Sequence, residues 1–131
     1  QASINLYKLA FTKDDKQLDD NLKMILHGNL SQAYNSIENG EKSLFHIDQA
    51  IALSKQLDTK THFEKFIYRK AKALSFNSDR LKEAMTCITS EYEGIDLNDS
   101  KDMAMKAIIK TIWNKMLQKE GSYDFFDIYQ Q

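Results

Sequence analysis

The stretch that decides the fold runs from Asn29 to Leu53 and reads NLSQAYNSIENGEKSLFHIDQAIAL. Apolar residues recur in it at spacings of three and four on both sides of the segment ENGEKS. This is the period of an amphipathic α-helix, because residues three and four apart share one helix face. ENGEKS itself is rich in the residues that form turns. The stretch therefore predicts two helices that are joined by a short turn.

The same periodicity covers the rest of the chain, which contains four glycines and no proline. Glycine and proline are the usual punctuation of hairpins and sandwiches, so their scarcity favours an all-α fold. Further helices are predicted on both sides of the opening stretch. The full set is about Gln1–Phe11, Leu18–Ile37, Ser43–Gln56, a fourth helix after DTKTHF, about Asp79–Ser90, and about Lys101–Lys119 with Asp99 or Ser100 as its cap. The aromatic tail GSYDFFDIYQQ is predicted to pack as a last short helix.

Composition limits the function classes. A chain of 131 residues with 42% hydrophobic and 28% charged residues is expected to form one globular domain with its own core. The formal net charge is 18 − 19 = −1, so the basic excess typical of nucleic-acid or membrane-surface proteins is missing. No apolar run approaches the length of a membrane span, and no signal peptide is recognisable at the start.

The single cysteine, Cys87, excludes an internal disulfide framework and fits a reducing compartment. We therefore expect a cytoplasmic protein, with the nucleus as the alternative. The chain starts at Gln1, in a segment that reads as a helix already under way without a cap. This indicates a fragment or an excised domain.

No catalytic motif is recognisable. His27, His46 and His62 lack a spacing suited to a metal, and Cys87 has no activating base nearby in sequence. A phosphate loop, a glycine-rich nucleotide fingerprint and a nucleophile elbow are all missing from the sequence. We expect no enzymatic activity, no metal and no cofactor.

The opening stretch resembles a tetratricopeptide repeat almost position for position. Small residues in that family let the two helices of a repeat approach closely, and larger ones fill the gap between them. The matching residues are Leu30, Ser31, Ala33 and Tyr34 in the first helix and Ser43, Ile47 and Ala50 in the second. The segment Tyr68–Ile88 resembles the next repeat. Gln1–Phe11 looks like the second helix of a preceding repeat, although its match is loose.

The resemblance implies a single domain that is a superhelix of antiparallel helix pairs with an extra C-terminal helix. Its expected parts are residues 1–13 as the second helix of a truncated first repeat, 17–57 as the second repeat, 62–92 as the third repeat, and 100–131 as the C-terminal helix and tail. One departure is the period: the equivalent residues Tyr34 and Leu74 stand 74 − 34 = 40 residues apart. The family repeats every ~34 residues. Either the second helix of the second repeat or the loop after it must be longer.

The segment FEKFIYRKAKAL carries a second resemblance. Lys65 and Arg69 stand four apart, so they stack on one helix face. One tetratricopeptide subfamily uses such a Lys-x-x-x-Arg pair, with asparagines and a lysine from earlier repeats, as a carboxylate clamp for the C-terminal Glu-Glu-Val-Asp peptide of cytosolic heat-shock chaperones. Asn29, Lys65 and Arg69 match three of the five clamp positions; the other two would lie in a helix that precedes this chain.

The clamp resemblance implies a co-chaperone adaptor that binds a chaperone tail of the heat shock protein 90 or heat shock protein 70 class. Lysine supplies a compact charge, arginine a planar fork and asparagine an amide donor, which together suit two carboxylates. Four neighbouring residues are secondary candidates for the walls of the peptide site: His27, Gln32, Tyr68 and Lys72.

The overall layout also resembles the C-terminal half of large immunophilins, in which a peptidyl-prolyl isomerase domain precedes three such repeats. The resemblance implies a catalytic domain upstream in the parent protein, none of whose motifs is in this chain. In that layout Trp113 and Met116 are expected on the packing face of the extra helix, with the aromatic residues of the tail beyond.

Two alternatives to the clamp stay open. In the first, the chain is a repeat scaffold for another partner, and the two cations form an ordinary solvated face. In the second, the chain associates with a second copy and forms a homodimer, because an incomplete first repeat would leave an open apolar edge around Ile4, Leu6 and Leu9.

Overall fold

The computed structural model describes residues 4–6, 8–9, 19–91 and 103–120. Within these ranges the chain is all-α, which confirms the predicted fold class. Its elements are α1 (Asp20–Ser36), α2 (Gly40–Gln56), α3 (Phe63–Ser75), a 3-10 turn (Ser78–Arg80), α4 (Leu81–Glu91) and α5 (Met103–Glu120). Residues 4–6 and 8–9 are helical as well. The predicted cap at Asp99 or Ser100 and the predicted helix in the aromatic tail lie outside the described residues.

Side chains fix where the first two helices begin. Asp19 accepts a hydrogen bond of 2.7 Å from the backbone N–H of Leu22, and Asn39 accepts one of 3.2 Å from that of Lys42. Both are N-cap interactions that satisfy an otherwise unpaired helix donor. The apolar spacing predicts that α2 begins at Ser43. Because Asn39 caps the helix, it begins at Gly40 instead.

The helices pack in two layers. Helix α1 contacts α3, and α3 contacts α5, so these three form one layer; α2 and α4 pack against it between their sequence neighbours. Short turns after α1 and α3 reverse the chain. This arrangement is compatible with a helical repeat. Helix α2 has 17 residues and α4 has 11, so a long second helix accounts for part of the 40-residue spacing between Tyr34 and Leu74.

Small residues allow the helices to approach closely. Ser31 and Ser43 are fully buried between α1 and α2, where their hydroxyls lie 2.8 Å apart and Ser43 Oγ donates to the Ser31 carbonyl at 2.9 Å. A Cβ added to Gly28 would lie 2.6 Å from the Phe66 ring on α3. These positions therefore exclude larger side chains, and the predicted role of small residues at the α1–α2 contact is confirmed.

The core lies between the two layers. Its largest fully buried members come from all five of these helices and are Met24, Ile47, Ile67, Leu74, Ile88 and Ile112. Met116 packs against this core as predicted, whereas Trp113 is 52% exposed and the prediction that it packs is wrong. The helical period explains this, because Ile112 already occupies the core face and the next residue is rotated away by about 100°.

The N-terminal residues pack against α1. Ile4 is 3% exposed and contacts Leu30 and Tyr34, so it does not belong to an open apolar edge. Leu6 and Leu9 are 66% and 53% exposed. Only these two of the three residues expected at such an edge are therefore available to solvent. Among the helices described, none is long and apolar enough to cross a bilayer.

Candidate functional site

The three principal site candidates lie on two neighbouring helices of one layer. Asn29 is on α1, and Lys65 and Arg69 are on α3, one turn apart. Their exposure differs: Lys65 is exposed, Asn29 is half-buried, and Arg69 is only 9% exposed. Of the two stacked cations, only Lys65 is exposed to solvent.

Arg69 links α3 to α1 through its guanidinium group. Its Nη1 donates a hydrogen bond of 2.9 Å to the carbonyl of Gly28, and its Nη2 donates one of 2.6 Å to Oε1 of Gln32. The backbone carbonyl of Arg69 accepts a hydrogen bond of 3.1 Å from Nδ2 of Asn35. Arg69 therefore stabilises the α1–α3 contact, and its guanidinium lies beside the residue that precedes Asn29.

This structural role was not foreseen from the sequence, although a signal for it exists. Arg69 follows the buried Phe66 by three residues and precedes the buried Ala73 by four. Residues at these spacings share one helix face, so the arginine lies on the packed side of α3. A buried arginine needs hydrogen-bond acceptors, and α1 supplies them.

Lys65 lines a groove between the start of α3 and the start of α5. The groove has a volume of about 530 Å³ and is lined by Lys60, Thr61, Glu64, Lys65, Tyr68, Ala104 and Met105. Two of the lining residues are cations and one is an acid, so the net charge of the lining is positive. A groove of this kind suits an extended anionic ligand.

The secondary candidates fall into two groups. Gln32 lies against Arg69, and Tyr68 lines the groove with the ammonium of Lys72 5.9 Å from its ring centroid. These three are near the principal candidates. His27, by contrast, faces α2, where its Nδ1 lies 3.0 Å from Nδ1 of His46.

The His27–His46 pair is a distinct polar contact between α1 and α2. The His46 ring stacks on Tyr34 with its centroid 5.6 Å away and an interplanar angle of 6°. Burial, with help from the nearby Lys23, lowers the pKa of His27. Burial, followed by the charges of His27, Lys8 and Lys42, lowers the pKa of His46 to about 4. The pair is therefore neutral at pH 7, which lets one imidazole donate to the other.

Comparison of the chain with protein-family models, with curated proteins and with solved structures found no match. Within the described ranges, no group of three or more His, Cys, Asp or Glu side chains could hold a metal ion. The candidate site is therefore defined by the arrangement of side chains on α1, α3 and α5.

Proposed function

We propose that this chain is a tetratricopeptide-like interaction module that binds the acidic C-terminal peptide of a cytosolic heat-shock chaperone, of the Glu-Glu-Val-Asp type. The observation that carries the proposal is the position of Lys65, an exposed cation that lines a groove and lies one turn from a guanidinium that is held against Gly28 and Gln32 of α1. In this role the chain acts as a co-chaperone adaptor in the cytoplasm, and a parent protein of the immunophilin type would carry its isomerase domain upstream.

The chemistry of the site suits a terminal carboxylate. The Lys65 ammonium supplies a charge that remains in contact with solvent, so its desolvation on binding costs little. Asn29, on the neighbouring helix α1, offers a side-chain amide that can donate a hydrogen bond to a carboxylate oxygen of the peptide. The guanidinium of Arg69 adds positive potential one turn from Lys65, while its hydrogen bonds to α1 hold it in place.

A peptide titration tests the proposal. A labelled Met-Glu-Glu-Val-Asp peptide is titrated with the chain and followed by fluorescence anisotropy, beside the same peptide with an amidated C-terminus. We expect saturable binding that amidation weakens by about ten-fold, because one charge-assisted hydrogen bond is lost. Lys65→Ala and Asn29→Ala are expected to weaken binding of the free-acid peptide similarly.

The matched control is Lys82→Ala, which removes an exposed lysine from α4. Lys82 lines a different depression, beside Met116 and Lys119 towards the C-terminal end of α5. The Lys82→Ala substitution removes the same charge as Lys65→Ala but away from the proposed site. It therefore reports the non-specific effect of net charge on affinity. Equal affinity for the acid and the amide, or equal losses for Lys65→Ala and Lys82→Ala, would contradict the clamp.

Self-association is the second candidate, favoured by the exposure of Leu6 (66%) and Leu9 (53%) near the start of the chain. Sedimentation velocity over a hundred-fold range of protein concentration tests it. A mass that stays at that of one chain excludes self-association, and a rise that a Leu6→Ser, Leu9→Ser variant abolishes would establish it. If the chain is a monomer and does not bind the peptide, the remaining function is that of a repeat scaffold for another partner.

A further inference from the structure

Four basic side chains from three parts of the chain gather around the buried Tyr34. The ammonium groups of Lys8 and Lys42 lie 5.9 and 5.7 Å from the centroid of the Tyr34 ring. The His46 ring stacks on the same tyrosine, and its Nδ1 lies 3.0 Å from Nδ1 of His27. Lys8, His27, Lys42 and His46 are called the basic cluster below. Lys8 precedes α1, His27 is on α1 and the other two are on α2, so only the folded chain brings the cluster together.

The acids of α1, α2 and the turn between them lie elsewhere. Asp19 caps α1, and Asp20 accepts a hydrogen bond of 3.2 Å from the last residue of α2. Asp48 forms an ion pair of 3.0 Å with a lysine of α3. Glu38 and Glu41 line a separate groove beside the end of α3 and the 3-10 turn. The acids of this helix pair therefore do not neutralise the basic cluster.

The two imidazoles respond to this excess of positive charge. Burial and the nearby Lys23 lower the pKa of His27, and burial followed by the charges of His27, Lys8 and Lys42 lowers the pKa of His46. Among the described residues, each charge that shifts these two pKa values is thus a cation. A bound anion would be attracted by several cations at once, and it would favour the protonated form of the imidazoles.

We propose that the basic cluster is a binding site for a phosphate monoester, whose oxygens accept hydrogen bonds from Lys8, Lys42 and His46. A phosphate dianion presents three strong acceptor oxygens, which suits donors that converge from different directions. The contact between the two histidines supplies one of these donors. If Nδ1 of His27 donates to Nδ1 of His46, the neutral His46 ring carries its proton on Nε2 and can donate it to the phosphate.

Phe45 favours an ester over the free ion. Its ring lies edge-on to His46, with the centroids 5.1 Å apart and an interplanar angle of 81°, and it is 60% exposed. An apolar group joined to the phosphate would cover this ring and remove apolar surface from water. Inorganic phosphate has no such group. The ligand is thus a phosphate that carries an apolar organic group.

The probes are phenyl phosphate and inorganic phosphate, each titrated into the chain at pH 7.5 and at an ionic strength held constant with sodium chloride. A phosphate monoester is dianionic at this pH, because its second pKa is about 6. NMR follows the imidazole C–H resonances of the three histidines. We expect saturable shifts for His27 and His46 and none for His62, which lies at the start of α3. Phenyl phosphate should bind about three-fold more tightly than inorganic phosphate.

Four variants at exposed positions assign the contacts. Lys8→Gln and Lys42→Gln should each weaken binding of phenyl phosphate about five-fold. Lys55→Gln removes the same charge about 20 Å further along α2 and should weaken it by less than about two-fold. Phe45→Ala should abolish the difference between the two phosphates. Circular dichroism and thermal melts check that each variant folds, and Lys42→Gln alone tests the site if Lys8→Gln disturbs the N-terminal residues.

A pH titration adds a readout that a purely structural histidine pair would not change. Bound phenyl phosphate should raise the pKa of His46 towards its ordinary value, because the phosphate opposes the charges of Lys8 and Lys42. Shifts that do not saturate, an unchanged pKa of His46, or equal losses for Lys42→Gln and Lys55→Gln would overturn the inference. Equal affinity for the two phosphates would overturn the assignment to an ester. The peptide site on α3 does not depend on any of these outcomes.

Discussion

The guanidinium of Arg69 on α3 donates a hydrogen bond of 2.9 Å to the backbone carbonyl of Gly28 on α1. The two residues are 41 positions apart in sequence and meet where a glycine allows the helices to approach closely. One candidate ligand of the partner carboxylate is thus also a structural link between helices. We therefore expect a substitution of Arg69 to affect folding and binding together, and a substitution of Lys65 to affect binding alone.

We expect Arg69→Met to lower the free energy of unfolding by about 1.5–3 kcal/mol. The substitution keeps much of the apolar stem but removes the charged hydrogen bonds to Gly28 and Gln32, which are buried or partly buried. Lys65→Ala should change the free energy of unfolding by less than about 0.5 kcal/mol, because this lysine is exposed. Urea unfolding curves of the two variants and the parent chain measure both values. Equal stabilities of the two variants would contradict a stabilising role for Arg69.

Gly28→Ala should destabilise the chain although alanine is the better helix former. Helix propensity alone predicts a gain of about 1 kcal/mol. The new Cβ, however, would lie 2.6 Å from the Phe66 ring, and Phe66 is only 2% exposed and has little room to move. We expect a net loss of about 1–2 kcal/mol from overpacking. Thermal and urea unfolding show whether the free energy of unfolding rises or falls. Asn21→Ala, at an exposed position of α1, is the control.

A second substitution tests the cause of that loss. Phe66→Leu removes the ring that the alanine would strike, so the cost of Gly28→Ala should be smaller in the Phe66→Leu background. A double-mutant cycle measures this difference as an interaction energy between the two positions. Additive effects of the two substitutions would mean that the ring is not the obstacle.

The His27–His46 contact predicts a pH dependence of stability. The pKa of His46 is lowered to about 4 in the folded chain, against about 6.5 when unfolded, so the unfolded state binds more protons between these values. Stability is therefore greatest above pH 6.5 and decreases as the pH falls towards 4. The lowered pKa of His27 acts in the same direction. Because both rings are partly exposed, we expect a loss of about 1 kcal/mol between pH 7 and pH 5.

The matched variants are His46→Gln and His62→Gln. His46→Gln should remove most of the decrease in the free energy of unfolding between pH 7 and pH 5. His62→Gln changes a histidine that contacts Phe66 at the start of α3, outside the pair, and should retain the decrease. Urea unfolding of each variant at pH 7 and pH 5 measures this decrease in the free energy of unfolding. An unchanged pH dependence in His46→Gln would assign the effect to other groups.

Two adjacent residues of α5 provide a test of its orientation. Ile112 is completely buried, so Ile112→Ala should cost about 2–5 kcal/mol. Trp113 is 52% exposed, and Trp113→Ala should cost less than about 1 kcal/mol. As the single tryptophan, Trp113 should also be readily quenched by acrylamide in the folded chain. A large loss for Trp113→Ala with a protected fluorophore would mean that α5 packs through the opposite face.

The prediction of the fold succeeded where a local pattern sufficed. The apolar period located α1 to α5, and the small residues Ser31 and Ser43 indicated a close helix pair. The expectation for Trp113 failed, because it came from the resemblance to the immunophilin layout and not from the position of the residue on the helix, where Ile112 occupies the core face. The apolar spacing also began α2 too late, since the capping role of Asn39 was overlooked.

The prediction of the site was limited in a different way. Spacing identified Lys65 and Arg69 as neighbours on one helix, but a spacing contains no information on the acceptors that another helix presents. The hydrogen bonds from Arg69 to α1 depend on how closely Gly28 and Phe66 allow the helices to approach. The lining of the groove, similarly, brings Lys60 and Ala104 together from positions far apart in the chain.

The sequence by itself determined that this protein is a set of amphipathic helices joined by short turns, because helical periodicity, capping and the absence of proline act locally. Only the tertiary structure decided the environment of each cation. Lys65 remains in solvent and Arg69 is buried against α1, although both are on the same helix, because burial depends on which neighbouring helix covers which part of the surface. The long-range packing that makes the core thus also determines which charges are left for a partner.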